Sequence, residues 1–268
     1  MTNKSLKQLS PPIIRLLIRL QYEFVSALIP KRDLLFMNFG YADIDPGSLP
    51  LALAPQDEPD RYSLQLYDHL ARRIDWTNAR VLEVSCGRGG GAAYIMRYYK
   101  PAAYTGVDFS SNSLEFCRSH HRIPGLTFEH GNAENLRFAD ASFDVVLNVE
   151  ASLYYPRIDR FFGHIKRILK PGGHFLYADL RFEEEQAAWL DKIHASGLEL
   201  IHAGDITANV LKALELDRER RIRLVDTHAP AFLRNELYFL IGLVRHAPKS
   251  TPQLPNRRYR SFILRKAL

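Results

Sequence analysis

The chain has 268 residues, of which 46% are hydrophobic, enough for a sizeable core in one main α/β domain with appendages. Lys and Arg number 36 against 30 Asp and Glu, and the formal charge of +6 favours anionic partners only mildly. Cys86 and Cys117 are too few for a disulfide framework and lack metal-ligand spacing, which fits a reducing, cytoplasmic setting with no metal centre.

Ser10-Pro11-Pro12 is a helix start signal, after which Ile13, Leu16, Leu17, Leu20, Phe24, Ala27 and Leu28 recur at helical spacing. Arg15, Arg19 and Glu23 make this run too charged to span a bilayer, and no small-residue cleavage site marks it as a signal peptide. The expected amphipathic helix packs on the main domain as a lid or cap; the alternative is a helix resting on a membrane or an acyl substrate. Basic residues gather at both ends, among them Lys4, Lys7, Arg258 and Arg260, and read as solvated faces. No helix-turn-helix, zinc-finger or RNP pattern accompanies them, so nucleic acid is not an expected partner.

Residues 38 to 60 read as an ordered connector, and a helix follows near Arg61 to Trp76. From Arg80 onward strands (near 80 to 85, 103 to 108, 126 to 130, 143 to 149 and 173 to 179) alternate with helices (near 89 to 99, 111 to 120, 157 to 170 and 183 to 196). Such alternation predicts a Rossmann-like, doubly wound, mostly parallel sheet with helices on both faces. Lys170-Pro171-Gly172-Gly173 stops a helix before the fifth strand. After residue 200 the pattern predicts helices over Ile206 to Arg223 and Ala231 to His246, then a last strand in RRYRSFILRKAL. The expected organisation is a cap and connector over 1–60 and a main domain over 61–268, with a helical substrate cover at about 200–250.

VLEVSCGRGGG, residues 81 to 91, joins a strand to a glycine cluster. Gly87 to Ala92 satisfies GxGxx(G/A), and Asp108 lies where a ribose-binding acid belongs, so a nicotinamide dinucleotide is admitted. Glu83 argues for the other cofactor. A carboxylate just ahead of the loop repels a pyrophosphate but suits S-adenosylmethionine, which is cationic at its sulfonium and free of phosphate. Asp108 would take the ribose hydroxyls, and GNAENLRF (131 to 138) would lie against adenine at the carboxyl edge of the sheet.

The chain resembles the class I S-adenosylmethionine-dependent methyltransferases, and within them the phthiotriolone/phenolphthiotriolone dimycocerosate methyltransferases and related lipid and polyketide O-methyltransferases. The likeness rests on MNFGYAD, DEPDR, VLEVSCGRGGG, PAAYTGVD, GNAENLRF, FDVVLNVEAS, LKPGGHFLYADLR and VDTHAPAF, which together span about residues 37 to 232. It implies a seven-stranded sheet with S-adenosylmethionine as donor and S-adenosylhomocysteine as product. Glu83, Ser85, Gly87 and Gly89 would form the methionine-end loop, Asp108 the ribose clamp, Ala133 and Glu134 the adenine rim, and Asn148 the loop beneath the sulfonium. Two positions depart from the pattern. Ser85 replaces the usual first glycine, as in the lipid-type subgroup, and Asn132 replaces a common Asp that would receive the adenine amino group, a hydrogen bond that an amide carbonyl can also accept, with weaker binding expected.

Methyl transfer is an in-line displacement, and a hydroxyl acceptor must also lose a proton, a task for His or a carboxylate. Leu153 stands where the resembling lipid enzymes tend to carry His, so the base is sought elsewhere: Asp179 first, His228 second, Glu150 third. Each has a plainer reading, as a turn cap, a structural imidazole and a loop anchor respectively. Leu153 and Tyr154 would line the substrate pocket. The expected function is O-methylation of a hydroxyl or carboxyl group on a lipid-like or polyketide metabolite. The alternative is a polyketide cyclase that binds the cofactor without transferring its methyl group.

Overall fold

The computed structural model describes residues 35–240, 242–243, 254 and 256–268, so the helix expected over residues 13 to 28 lies outside the described residues. Seven strands form one sheet in the order β3-β2-β1-β4-β5-β7-β6. They are β1 (Arg80–Val84), β2 (Ala103–Asp108), β3 (Leu126–His130), β4 (Phe143–Val149), β5 (Leu169–Phe182), β6 (Glu199–Asp205) and β7 (Arg257–Arg265). The first five pair in parallel, while β7 runs antiparallel to both β5 and β6. This is the class I Rossmann-like arrangement that the alternating sequence predicts.

Strand residues alternate between the two faces, and the core divides accordingly. Val81, Leu176 and Ala178 join a cluster covered by α1 (Arg61–Ala71), α2 (Gly90–Tyr98), α3 (Ser111–His120) and α6 (Thr207–Leu216). Leu82, Val84, Phe175 and Tyr177 join the opposite cluster, covered by α4 (Ile158–Ile168) and α5 (Gln186–Ala195). The connector is part of the first cluster, with Phe39 and Tyr41 buried in it. A third, smaller cluster joins α7 (Arg218–His228) and α8 (Arg234–Leu240) through Val225 and Leu237, with Met37 of the connector packed against it.

Several boundaries differ from the sequence reading. The helix expected to reach Trp76 ends at Ala71, and Trp76 caps that end by donating its ring N–H to the Ala71 carbonyl at 2.8 Å. Residues 199–205, read as the approach to a helical region, form an edge strand whose side chains are mostly exposed, so they carry no hydrophobic alternation. The single helix expected over Ile206 to Arg223 is two helices meeting at Asp217, whose carboxylate is drawn off to Arg220 and Arg221 at 2.6 and 2.8 Å. The Lys170–Gly173 turn ends α4 as expected but lies inside β5, where the register with β4 shifts. Of the helix expected over Ala231 to His246, a single 3-10 turn (Ala231–Leu233) and α8 are described; 241 and 244–246 are not.

Candidate active site

In an open parallel sheet, ligands bind beyond the strands' carboxyl ends where the strand order reverses, here between β1 and β4. A cleft that opens to solvent lies there. Ser85, Gly87, Asp108, Asn132, Ala133, Glu134, Glu150 and Tyr154 stand on its wall. Five other expected site residues, and His228, do not.

The loop after β1 is held by what surrounds it. Asp108, the last residue of β2, accepts the Gly87 amide at 2.8 Å through one oxygen and the Ser110 amide at 2.8 Å through the other. Each oxygen of a carboxylate can accept more than one hydrogen bond. Gly91 is compelled by Tyr67, because a Cβ there would lie 2.1 Å from the tyrosine ring. Gly89 caps α2 at φ 74° and faces His121 and Phe128 rather than the cleft. On the far rim, Asn132 Oδ1 accepts the Glu134 amide at 2.9 Å, and the Glu134 carboxylate accepts the Arg157 amide.

Glu83 is in the expected place along the chain but does not stand on the cleft wall. Strand alternation puts it beside Val81 on the α1 face, where its two oxygens accept Tyr67 at 2.7 Å and Tyr104 at 2.9 Å. Burial pushes its carboxyl up to about 7. Its approach to the cleft is therefore through Tyr67, which does line the wall. Asn148 is wholly buried beneath the cleft, donating to the Val84 carbonyl and the Tyr155 hydroxyl at 2.8 and 2.9 Å.

The three candidate bases are in different surroundings. Asp179 is fully buried and off the cleft, because antiparallel pairing with β7 extends β5 three residues beyond it to Phe182. Its oxygens accept Ser152 Oγ at 2.6 Å and the amides of Leu153 and Leu180 at 3.0 and 2.8 Å, and Arg181 pairs with it at 3.3 Å. Leu153, expected in the substrate pocket, instead packs on the core. Removing one partner of a buried ion pair leaves the other charge uncompensated, which costs about 3–5 kcal/mol. Asp179→Asn is accordingly expected to lower the melting temperature by several degrees, and a thermal scan checks it; an unchanged melting point would contradict this structural role. His228 ends α7, away from the cleft wall.

Glu150 alone of the three faces the cleft, just past β4, at φ 50°. A non-glycine residue in the left-handed region is uncommon and collects at functional sites. One oxygen, Oε1, accepts the Phe39 amide at 2.7 Å and the Tyr259 hydroxyl at 2.6 Å. Oε2 takes no hydrogen bond from the described residues. Burial, reinforced by nearby Asp179, pushes the carboxyl up to about 8, against the pull of its two donors and of Arg221.

Sequence reasoning missed the connector's share of the wall. Phe36, Met37 and Asn38 line the cleft, and Arg221 fixes this segment by donating to the Asn38 and Phe39 carbonyls at 3.1 and 3.3 Å. MNFGYAD carried the family resemblance, yet its distance from the glycine loop gave no signal that the two meet. Asn38 Oδ1 is buried without a hydrogen-bond partner among the described residues, and so is Asn148 Oδ1. The two unmatched amide oxygens and the Asp108 carboxylate together suit a ligand that brings hydrogen-bond donors, vicinal hydroxyls among them.

Comparison with known proteins adds the chemistry. Residues 82–177 match the family model described as a methyltransferase domain. The phthiotriol/phenolphthiotriol dimycocerosates methyltransferase of Mycobacterium tuberculosis is 44% identical over 81% of this chain and 79% of its own length. The fatty-acid O-methyltransferase of Mycolicibacterium smegmatis is 41% identical over 81% of this chain and 78% of its own. Among solved structures, the cyclase SpnF superposes with a TM-score of 0.70 at 19% identity, covering 94% of this chain and 95% of its own, a likeness of fold alone.

Proposed function

This chain belongs to the class I S-adenosylmethionine-dependent methyltransferases, in the group of the phthiotriol/phenolphthiotriol dimycocerosates methyltransferases, and we propose that it methylates an oxygen of a lipid-like or polyketide acceptor. When bound, S-adenosylmethionine supplies an electrophilic methyl group on its sulfonium. The chain's own residues do the remainder. Asp108 would hold the ribose hydroxyls, with Asn132, Ala133 and Glu134 bordering the adenine. Asn38 and the Ser85–Gly87 loop would hold the methionine end. Phe36, Met37 and Tyr154 offer the acceptor an apolar approach and keep water from the reacting oxygen.

The observation that carries the acceptor reading is Glu150. Its Oε1 is anchored and its Oε2 is left for a proton, so a hydroxyl on the cleft side can pass its proton to that oxygen as the methyl group arrives. A carboxyl acceptor, as the fatty-acid relative's name implies for that protein, ionises without help and needs only to be positioned. Glu150 thus takes the role for which Asp179 ranked first in the sequence. A cyclase that retains the methyl group would rest on fold likeness, which does not carry a reaction.

The test is transfer from S-adenosylmethionine with an isotopically labelled methyl group to a panel of long-chain diols, phenolic lipids and fatty acids, read by mass spectrometry. Labelled methyl ether or ester supports the proposal. Label on nitrogen or carbon, or no label in the presence of bound donor, would overturn it.

A further inference from the structure

Tyr155 follows the segment where an acid or base was sought, and its hydrogen bonds give it a different task. Its hydroxyl lies 2.6 Å from Ser85 Oγ and accepts from Asn148 Nδ2 at 2.9 Å, while the same Nδ2 donates to the Val84 carbonyl at 2.8 Å. The Val84–Ser85 peptide is therefore held on both sides, Val84 through its carbonyl and Ser85 through its hydroxyl. The partners come from β4 and from the turn that follows it, across the point where the strand order reverses.

Ser85 has φ 61°, a conformation L side chains rarely adopt and glycine adopts freely. Glycine there would relieve the backbone but would surrender the hydroxyl that reaches Tyr155. The serine is thus matched to the tyrosine. The Tyr155 ring is packed edge-on against the fully buried Phe161 at 4.9 Å, which ties the phenol to the core rather than to the loop. Burial pushes its hydroxyl well above the usual phenol range and keeps it protonated. Having accepted from Asn148, it retains one proton and one lone pair, either of which completes the bond to Ser85.

We propose that Tyr155 is a positioning residue for methyl transfer, its hydroxyl joining Ser85 to Asn148 and fixing the turn that carries the donor's methionine end. The proposal rests on the reading of this cleft as the S-adenosylmethionine site. Tyr155 acts through the loop, because its hydroxyl is engaged with Ser85 and Asn148.

A double-mutant cycle on Tyr155→Phe and Ser85→Ala tests it, with S-adenosylhomocysteine affinity measured by calorimetry and kcat measured at saturating donor and acceptor. Ser85→Ala keeps the strained backbone and removes only the hydroxyl, so both single variants break the same bridge. Each is expected to weaken product binding about tenfold and to lower kcat by a similar factor at saturation, and the double variant is expected to be no worse than either. Additive losses, or single variants with unchanged affinity and kcat, would overturn the proposal. Should Tyr155→Phe not fold, Ser85→Ala alone decides: a tenfold loss supports the bridge and none refutes it. Wild-type protein that binds no S-adenosylhomocysteine would remove the cofactor reading, and this inference with it.

Discussion

Asp108→Ala is expected to raise the dissociation constant of S-adenosylhomocysteine by about 10²–10³-fold, measured by calorimetry on folded protein. The carboxylate does two things. It holds the Gly87 and Ser110 amides, which shape the loop and the start of α3, and it is the acid at the end of β2 that would receive the ribose hydroxyls. Hydrogen bonds to a charged group contribute about 1.5–3 kcal/mol each, and losing them leaves amides without an acceptor. Asp108→Asn separates the two effects, since an amide oxygen still accepts one N–H while its NH2 meets the second amide as a donor. It should retain more affinity than the alanine variant. An alanine variant that binds as wild type would show that this acid does not hold the cofactor.

The sequence could locate Asp108 because strand, loop and acid follow a fixed chain spacing. Glu83 shows where spacing stops being sufficient: its distance from the glycines is right, but side-chain direction along β1 alternates, and with apolar Val81 on one face and Leu82 and Val84 on the other, the sequence does not say which covered face residue 83 takes. Asp179 illustrates a second limit. Its segment reads as a strand end, yet β7, almost eighty residues later in the chain, pairs with β5 through Phe182 and buries the acid inside the sheet. The edge strand β6 had no pattern to read, since its existence depends on hydrogen bonds to β7 and its side chains face water. The same applies to the connector. Asn38 reaches the cleft because Arg221, Glu150 and Tyr259 hold Phe39 and its neighbours there, and none of these lies nearby in the chain.

Glu150→Gln should lower kcat for a hydroxyl acceptor by about 10²–10³-fold, within the range for loss of a positioned general base, while leaving S-adenosylhomocysteine affinity within about threefold. Glutamine can still accept the Phe39 amide and the Tyr259 hydroxyl through its carbonyl, so the connector and β7 keep their anchor. The pH profile supplies the sign. Burial has raised the Glu150 carboxyl to about 8, and a base works only when ionised. Wild-type turnover should therefore rise about tenfold per pH unit up to about 8 and then level off, whereas the glutamine variant should lack that limb. The stability linkage runs the other way: a carboxyl whose folded value lies above its unfolded one stabilises the fold fully below about 4.5, and that contribution is lost as pH rises towards 8. Activity rising while stability falls over the same pH range is a pairing that a merely structural Glu150 would not give. A glutamine variant with wild-type kcat on an alcohol would leave proton removal to solvent or to the acceptor itself, and the cleft's contribution would then be positioning alone.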